Sequence, residues 1–345
     1  MIARRNTLCA VALACVLSAG FAAQSEAGEL PALKADLSRT SVSGLSSGGY
    51  MAGQFQVAHS KTVIGAGIVA AGPFGCAQSA FYVTSVWANA TQAVYGCMSN
   101  TLSMFGVLDS QRLLGVAQTL AREGKIDPLE DLKRSKVYLY SGENDSIVSS
   151  AVVRAARDFY LAAGVASGNV ELVTGKPGGH AFSTDGEGAA CEKNEPPYVN
   201  NCHYDQAGEI LRFIYGALEP KGAAQAGDFM TFDQGGYASP GATLAAKGVV
   251  YVPPACRNAG GCRIHVVFHG CEQSQAQAGD AVIRESGFAG WAATNKIVVL
   301  FPQAAPSGLN PKTCWDWWGY TGSDFLSRDA PQMQAVAGML AALGK

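Results

Sequence analysis

One pentapeptide does most to limit what this chain can become. Gly44-Leu45-Ser46-Ser47-Gly48 has the pattern G-x-S-x-G. A serine between two glycines suits a sharp strand-to-helix turn, on which its hydroxyl stands clear of neighbouring backbone. The flanks agree with that geometry: Thr40-Ser41-Val42-Ser43-Gly44 is a short β-prone run, and Gly48-Gly49-Tyr50-Met51-Ala52 opens a helix-like stretch to about His59. A chance match is easy in a chain with 41 glycines, so the pattern gains its weight from what surrounds it.

Residues 63–71 and 136–140 have the look of strands buried on both faces of a parallel sheet, and 169–173 reads as the next strand. Helix-like stretches cover 150–164 and 207–217. Residues 222–248 shift towards glycine, alanine and proline, as a linker would, yet strand character resumes at 248–252, 263–268 and 296–301. A helix over 281–295 precedes the last of these, and a final helix covers 330–343. Residues 76–104 show no clear period and read as a disulfide-tied excursion. Strands alternating with helices predict an α/β fold with a mostly parallel, doubly wound sheet, forming a single catalytic domain over 28–345.

The first residues are read apart from that domain. Arg4 and Arg5 precede an apolar run over 8–20, and small residues continue to Ala27, which predicts a secretory signal peptide over 1–27 with cleavage after about 23–27. The run is short against the roughly 20 residues of a membrane-spanning helix, so no membrane anchor is expected. Ten cysteines less Cys9 and Cys15 leave eight, an even count in an exported chain, and disulfides are their expected use. Roughly a hundred pairings are open; short loops favour Cys76 with Cys97, Cys191 with Cys202 and Cys256 with Cys262, which leaves Cys271 with Cys314. Cys256, Cys262, His265 and His269 could also be read as four zinc ligands, but their cysteine spacing departs from the zinc-knuckle pattern, and no metal is expected. Charged residues make up only 15% of the chain, and its net charge is −2. That balance gives no electrostatic basis for holding nucleic acid.

A serine hydroxyl needs a base to take its proton, and the base needs a third group to fix its tautomer. Among five histidines, His180 follows a strand and the turn Lys176-Pro177-Gly178-Gly179, which frees its imidazole to project. Asp145 follows the strand at 136–140 and is the expected acid, with Glu143 as the alternative. The order Ser46, Asp145, His180 is that of an α/β-hydrolase, whose oxyanion hole takes the amide after the nucleophile and a second amide from the turn after another strand. Ser47 supplies the first, and Cys271, in Phe268-His269-Gly270-Cys271, the second. In the usual chain order this turn precedes the serine; here it follows. Trp315 and Trp317, with Trp318, lie in a polar loop after Cys314, where complete burial of three indoles is hard, and the expectation is an apolar wall for an acyl chain.

At these residues the chain resembles the poly(3-hydroxybutyrate) depolymerase family of esterases. The motifs are residues 43–52, Gly142-Glu143-Asn144-Asp145-Ser146-Ile147-Val148, Gly179-His180, Phe268-His269-Gly270-Cys271 and Cys314-Trp315-Asp316-Trp317-Trp318. The likeness is to a smaller, circularly permuted group in which the histidine-glycine turn comes last. It implies an α/β-hydrolase fold, Ser46 as nucleophile with Asp145 and His180, an oxyanion hole from Ser47 and Cys271, and a loop tryptophan lining the crevice. The implied substrate is a short-chain polyester polymer or oligomer; separately, a monomer without cofactor is expected. Many secreted relatives append a linker and a polymer-binding domain, and neither is read here. The rival readings are an esterase for small or aromatic esters, such as feruloyl or acetyl esters, and a binding protein that kept the fold without catalysis. Joining the final helix to the strand near Arg39 restores the usual order. The termini of the mature chain are therefore expected to lie together.

Overall fold

Parallel strands rich in β-branched residues organise this chain. The computed structural model describes residues 27–78, 85–103 and 108–345, so the signal-peptide reading lies almost wholly outside the described residues. In chain order the strands are β1 (Thr40–Leu45), β2 (Val63–Val69), β3 (Lys136–Gly142), β4 (Val170–Lys176), β5 (Phe182–Thr184), β6 (Ala189–Ala190), β7 (Val199–Asn201), β8 (Phe229–Asp233), β9 (Lys247–Tyr251), β10 (Arg263–Phe268) and β11 (Ile297–Phe301). The helices are α1 (Ser47–Ala58), α2 (Val86–Tyr95), α3 (Ser110–Arg122), α4 (Ser150–Ala162), α5 (Gln206–Tyr215), α6 (Gln275–Ala278), α7 (Ala281–Glu285), α8 (Phe288–Asn295) and α9 (Pro331–Leu343).

Eight strands form the main sheet in the order β4-β3-β2-β1-β10-β11-β9-β8, and β5, β7 and β6 form a small second one. Within the main sheet only β9 runs against the rest, being antiparallel to both β11 and β8. The central strands β1, β11 and most of β2 and β10 are buried along their length, which is why their sequences are continuous apolar or small-residue runs rather than alternating ones. From β1 the chain crosses to β2 on one side, and from β10 to β11 on the other. Right-handed crossovers taken in opposite directions put α1 and α8 on opposite faces of the sheet. The direction changes between β1 and β10, the position where α/β sheets open a crevice at their carboxyl ends.

Two sequence readings need correction. The helix expected over 281–295 is two helices, α7 and α8, because Gly287 sits between them at φ 90 and turns the chain. The linker-like stretch 222–248 contains β8, whose antiparallel pairing with β9 outweighs the composition around it.

Numbered from β8, the sheet reads 1-2-4-3-5-6-7-8, with β10 third and β1 fifth. An unpermuted hydrolase takes its second oxyanion amide from the loop after its third strand, and here that loop is 269–271. The ends of the described chain meet: Leu33 and Ala35 donate to the Leu343 carbonyl at 3.2 and 3.1 Å, and Lys34 donates to that of Lys345 at 2.9 Å. Disulfides join Cys76 to Cys97, Cys191 to Cys202, Cys256 to Cys262 and Cys271 to Cys314. Two of the four sulfur and nitrogen donors in the zinc reading are thereby bonded to each other.

Candidate active site

Ser46 stands between β1 and α1 at φ 56, ψ −122, a backbone state that costs a non-glycine residue about 1–3 kcal/mol. Its amide donates to the Val69 carbonyl at 2.9 Å. Although Ser46 occupies the N-cap position of α1, its hydroxyl makes no capping hydrogen bond, so the oxygen is left for chemistry. A Cβ on Gly48 would overlap the carbonyl oxygens of Phe268 and His269, and one on Gly44 would overlap Gly48. The two glycines let the serine turn press directly on the turn that follows β10.

That contact follows from strand pairing. β1 and β10 are parallel neighbours with Gly44 opposite Phe268, so the turns at 46–48 and 269–271 leave the same edge side by side. In the second turn Gly270 donates to Gln273 Oε1 at 2.6 Å, and Gln273 Nε2 donates to the carbonyls of Pro197 and Tyr198 at 2.9 and 3.1 Å. Among the described residues the Cys271 amide donates to no backbone carbonyl, and the Ser47 amide lies in the first turn of α1, where N–H groups lack an intrahelical acceptor. Buried His269 fixes the turn from below. Its Nε2 accepts from Ala304 at 3.1 Å, so Nδ1 carries the proton and donates to the Gly270 carbonyl at 2.7 Å. Burial lowers this imidazole to about 4.

His180 and Asp145 face each other across two loops. Nδ1 of His180 lies 3.1 and 3.0 Å from the two Asp145 oxygens, with both side chains almost wholly buried. The carboxylate also accepts from the amides of Ile147 and Val148, both at 2.9 Å. A carboxylate can only accept, so Nδ1 donates and Nε2 is left with its lone pair, the form a general base requires. Glu143 is exposed, and its amide donates to the Lys176 carbonyl at 2.8 Å. Tyr198 meets the His180 ring edge-on at 5.9 Å; burial and the nearby Glu272 push its hydroxyl up to about 12.

Ser46, His180 and Cys271 open on one cavity of about 370 Å³, walled chiefly by apolar side chains such as Ala93, Val94, Met98 and Leu309. The tryptophan expectation changes here. Trp317 and Trp318 line this cavity, whereas Trp315 does not: it is fully buried beneath, edge-on to Phe268 at 5.1 Å, with its amide bonded to Ser47 Oγ at 3.3 Å. Trp317 is also buried, stacked on Tyr50 at 4.0 Å. Burial of indoles in a polar loop depends on Asp316, which nothing in the sequence singled out beyond its place in the motif. Its carboxylate accepts from the amides of Trp318, Gly319, Tyr320 and Thr321 and from the Thr321 hydroxyl, at 2.6–3.2 Å. Burial raises its pKa, and these donors oppose the rise. Gln273 is the other residue sequence reasoning missed, since its role exists only through contacts with distant backbone.

The arrangement offers a hydroxyl on a turn, a base held in one tautomer, and two amides beside them. No group of three or more histidine, cysteine, aspartate or glutamate residues suited to a metal ion occurs among the described residues.

Comparison with known proteins gives consistent results. No family model matches the chain. It is 39% identical over 337 residues to a poly(3-hydroxybutyrate) depolymerase of Delftia acidovorans, a match that takes in 96% of this chain but 65% of that protein. It is 35% identical to a polyhydroxybutyrate depolymerase of Talaromyces funiculosus, over 92% of this chain and 93% of that one. Among solved structures, the PHB depolymerase from Penicillium funiculosum superposes with a TM-score of 0.79 at 32% identity, covering 92% of this chain and 98% of that chain. A serine-to-alanine PHB depolymerase complexed with an R3HB trimer gives the same values.

Proposed function

The chain belongs to the polyhydroxybutyrate depolymerase family, and from that premise we propose that it is an exported serine esterase cleaving the ester bonds of poly(3-hydroxybutyrate) or related short-chain polyesters and their oligomers. Ser46 Oγ attacks the ester carbonyl while His180 Nε2 takes its proton, and Asp145 steadies the imidazolium through Nδ1. The amides of Ser47 and Cys271 receive the negative charge of the tetrahedral intermediate. As the intermediate collapses, the carbon–oxygen bond to the leaving alcohol breaks, His180 returns the proton to that oxygen, and an acyl-Ser46 remains. Water, deprotonated by His180, then attacks the acyl carbon; the bond from that carbon to Ser46 Oγ breaks, His180 returns the proton to Oγ, and the 3-hydroxy acid leaves.

One observation carries this reading: parallel pairing of β1 with β10 sets the Ser46 turn beside the Cys271 turn at the wall of an apolar cavity that also contains His180. Apolar walls suit a methyl-branched acyl unit, and the trimer complex of the structural neighbour supports an oligomer as substrate. Four disulfides favour an oxidising compartment. No helix among the described residues is long and apolar enough to cross a membrane.

The test compares clearing of amorphous and semicrystalline polyhydroxybutyrate granules with hydrolysis of soluble aryl esters. Clearing of amorphous granules with release of 3-hydroxybutyrate and short oligomers is expected. Aryl-ester hydrolysis without clearing of either polymer would favour the small-ester reading.

A further inference from the structure

We infer that Asn194 is a positioning residue for the His180–Asp145 pair, holding the acid loop and the histidine loop in register through one side-chain amide. The inference rests on the proposed roles of Ser46, Asp145 and His180. Asn194 Oδ1 accepts from the backbone N–H of His180 at 2.8 Å and from that of Ser146, the residue after Asp145, at 3.1 Å. Its Nδ2 donates to the carbonyls of Asn144 and Glu192, both at 3.0 Å. Two acceptor sites and two hydrogens are all used. Rotating the amide by half a turn would set hydrogens against hydrogens and oxygen against oxygens, so the partners fix its orientation.

Other bonds between the two loops stop short of the reacting pair. Glu143 donates to Lys176, and Asn144 donates to Gly178 through its amide and to Pro177 through its side chain, at 2.6–3.0 Å. Asn194 alone among these reaches past them to His180 itself and to the backbone beside Asp145. Its own segment is braced. Cys191 and Cys202 close it, the Cys191 carbonyl accepts from Gly179 at 2.8 Å, and the buried Asn200 Nδ2 donates to the carbonyls of Cys191 and Lys193 at 3.0 and 2.8 Å. A side chain so braced can set the separation of the two loops rather than follow it.

The experiment measures kcat and KM for a soluble short-chain aryl ester across pH for Asn194→Ala and Asn194→Asp, with active sites counted by a serine-directed phosphonate. The alanine variant removes all four bonds. Its kcat per active site should fall about ten- to hundredfold, as misplacement by an ångström costs, with KM within about twofold. The aspartate variant keeps the shared acceptor but adds a negative charge near the imidazole, which favours the imidazolium. Its acidic limb should move to higher pH, by roughly half a unit. An aspartate variant whose pH profile overlays that of the unaltered enzyme overturns the inference, even if the alanine variant fails to fold. Ser46→Ala is run beside them: turnover retained there would instead overturn the active-site reading on which the inference rests.

Discussion

At the scale of single residues, the account turns on a strained serine whose hydroxyl does no structural work. Ser46 is held at positive φ without using its side chain to cap α1, so Ser46→Ala should leave far-UV dichroism and melting unchanged while ester hydrolysis falls on the order of 10⁶-fold. Gly48→Ala is the opposite kind of change, since its Cβ would overlap the carbonyl oxygens of Phe268 and His269. Both activity and melting temperature should drop, as thermal unfolding and ester assay on the same sample would show. Ser46, Asp145 and His180, the proposed triad, could be picked out in the sequence because each is a reactive residue just after a strand, and the structure sets Asp145 against His180 and opens Ser46 and His180 on one cavity. Trp315 was misread because loop composition says nothing of what Asp316 can fold inward. Gln273 was invisible, since an amide gains its role only when the distant backbone of Pro197 and Tyr198 arrives beside it.

Elements set how firmly those residues are held. The turn bearing the Cys271 amide is tied by Cys271–Cys314 to the loop that supplies Trp317 and Trp318, across 43 residues of sequence. Replacing both cysteines by serine should lower stability by about 2–5 kcal/mol. It should also lower kcat about tenfold, part of the roughly 2.7–4 kcal/mol that losing an oxyanion donor costs. Denaturant titration and initial rates read the two effects separately. Buried central strands were legible because both their faces demand apolar or small residues. The break at Gly287 was not, because a glycine within an apolar run is compatible with either an intact helix or a turn. β8 was hidden in the glycine-rich stretch because a five-residue edge strand, exposed at three positions, carries little pattern of its own.

For the molecule as a whole, the reversed motif order is a matter of where the chain is cut. Hydrogen bonds between 33–35 and 343–345 place that cut away from the cavity. Joining Lys345 to Leu30 through a short Gly-Ser linker and opening the chain at the exposed Gln225 should therefore give a folded esterase with kcat/KM within about tenfold; an insoluble or inactive product would argue against the permuted sheet. Buried imidazoles set a second property of the whole fold. His59, His265 and His269 are lowered by burial to about 4, 3 and 4 from an ordinary 6.5. The unfolded chain therefore takes up their protons first, and stability falls as pH drops below about 6.5 towards about 4. Urea midpoints from pH 7.5 to 5 should decline steadily; a flat profile would refute the burial of these rings. The most direct test of the central claim is a crystal structure after reaction with a serine-directed phosphonate. The account predicts phosphorus bonded to Ser46 Oγ, with the phosphonyl oxygen about 3 Å from the amides of both Ser47 and Cys271. An adduct on another serine, or an oxygen out of reach of either amide, would contradict it.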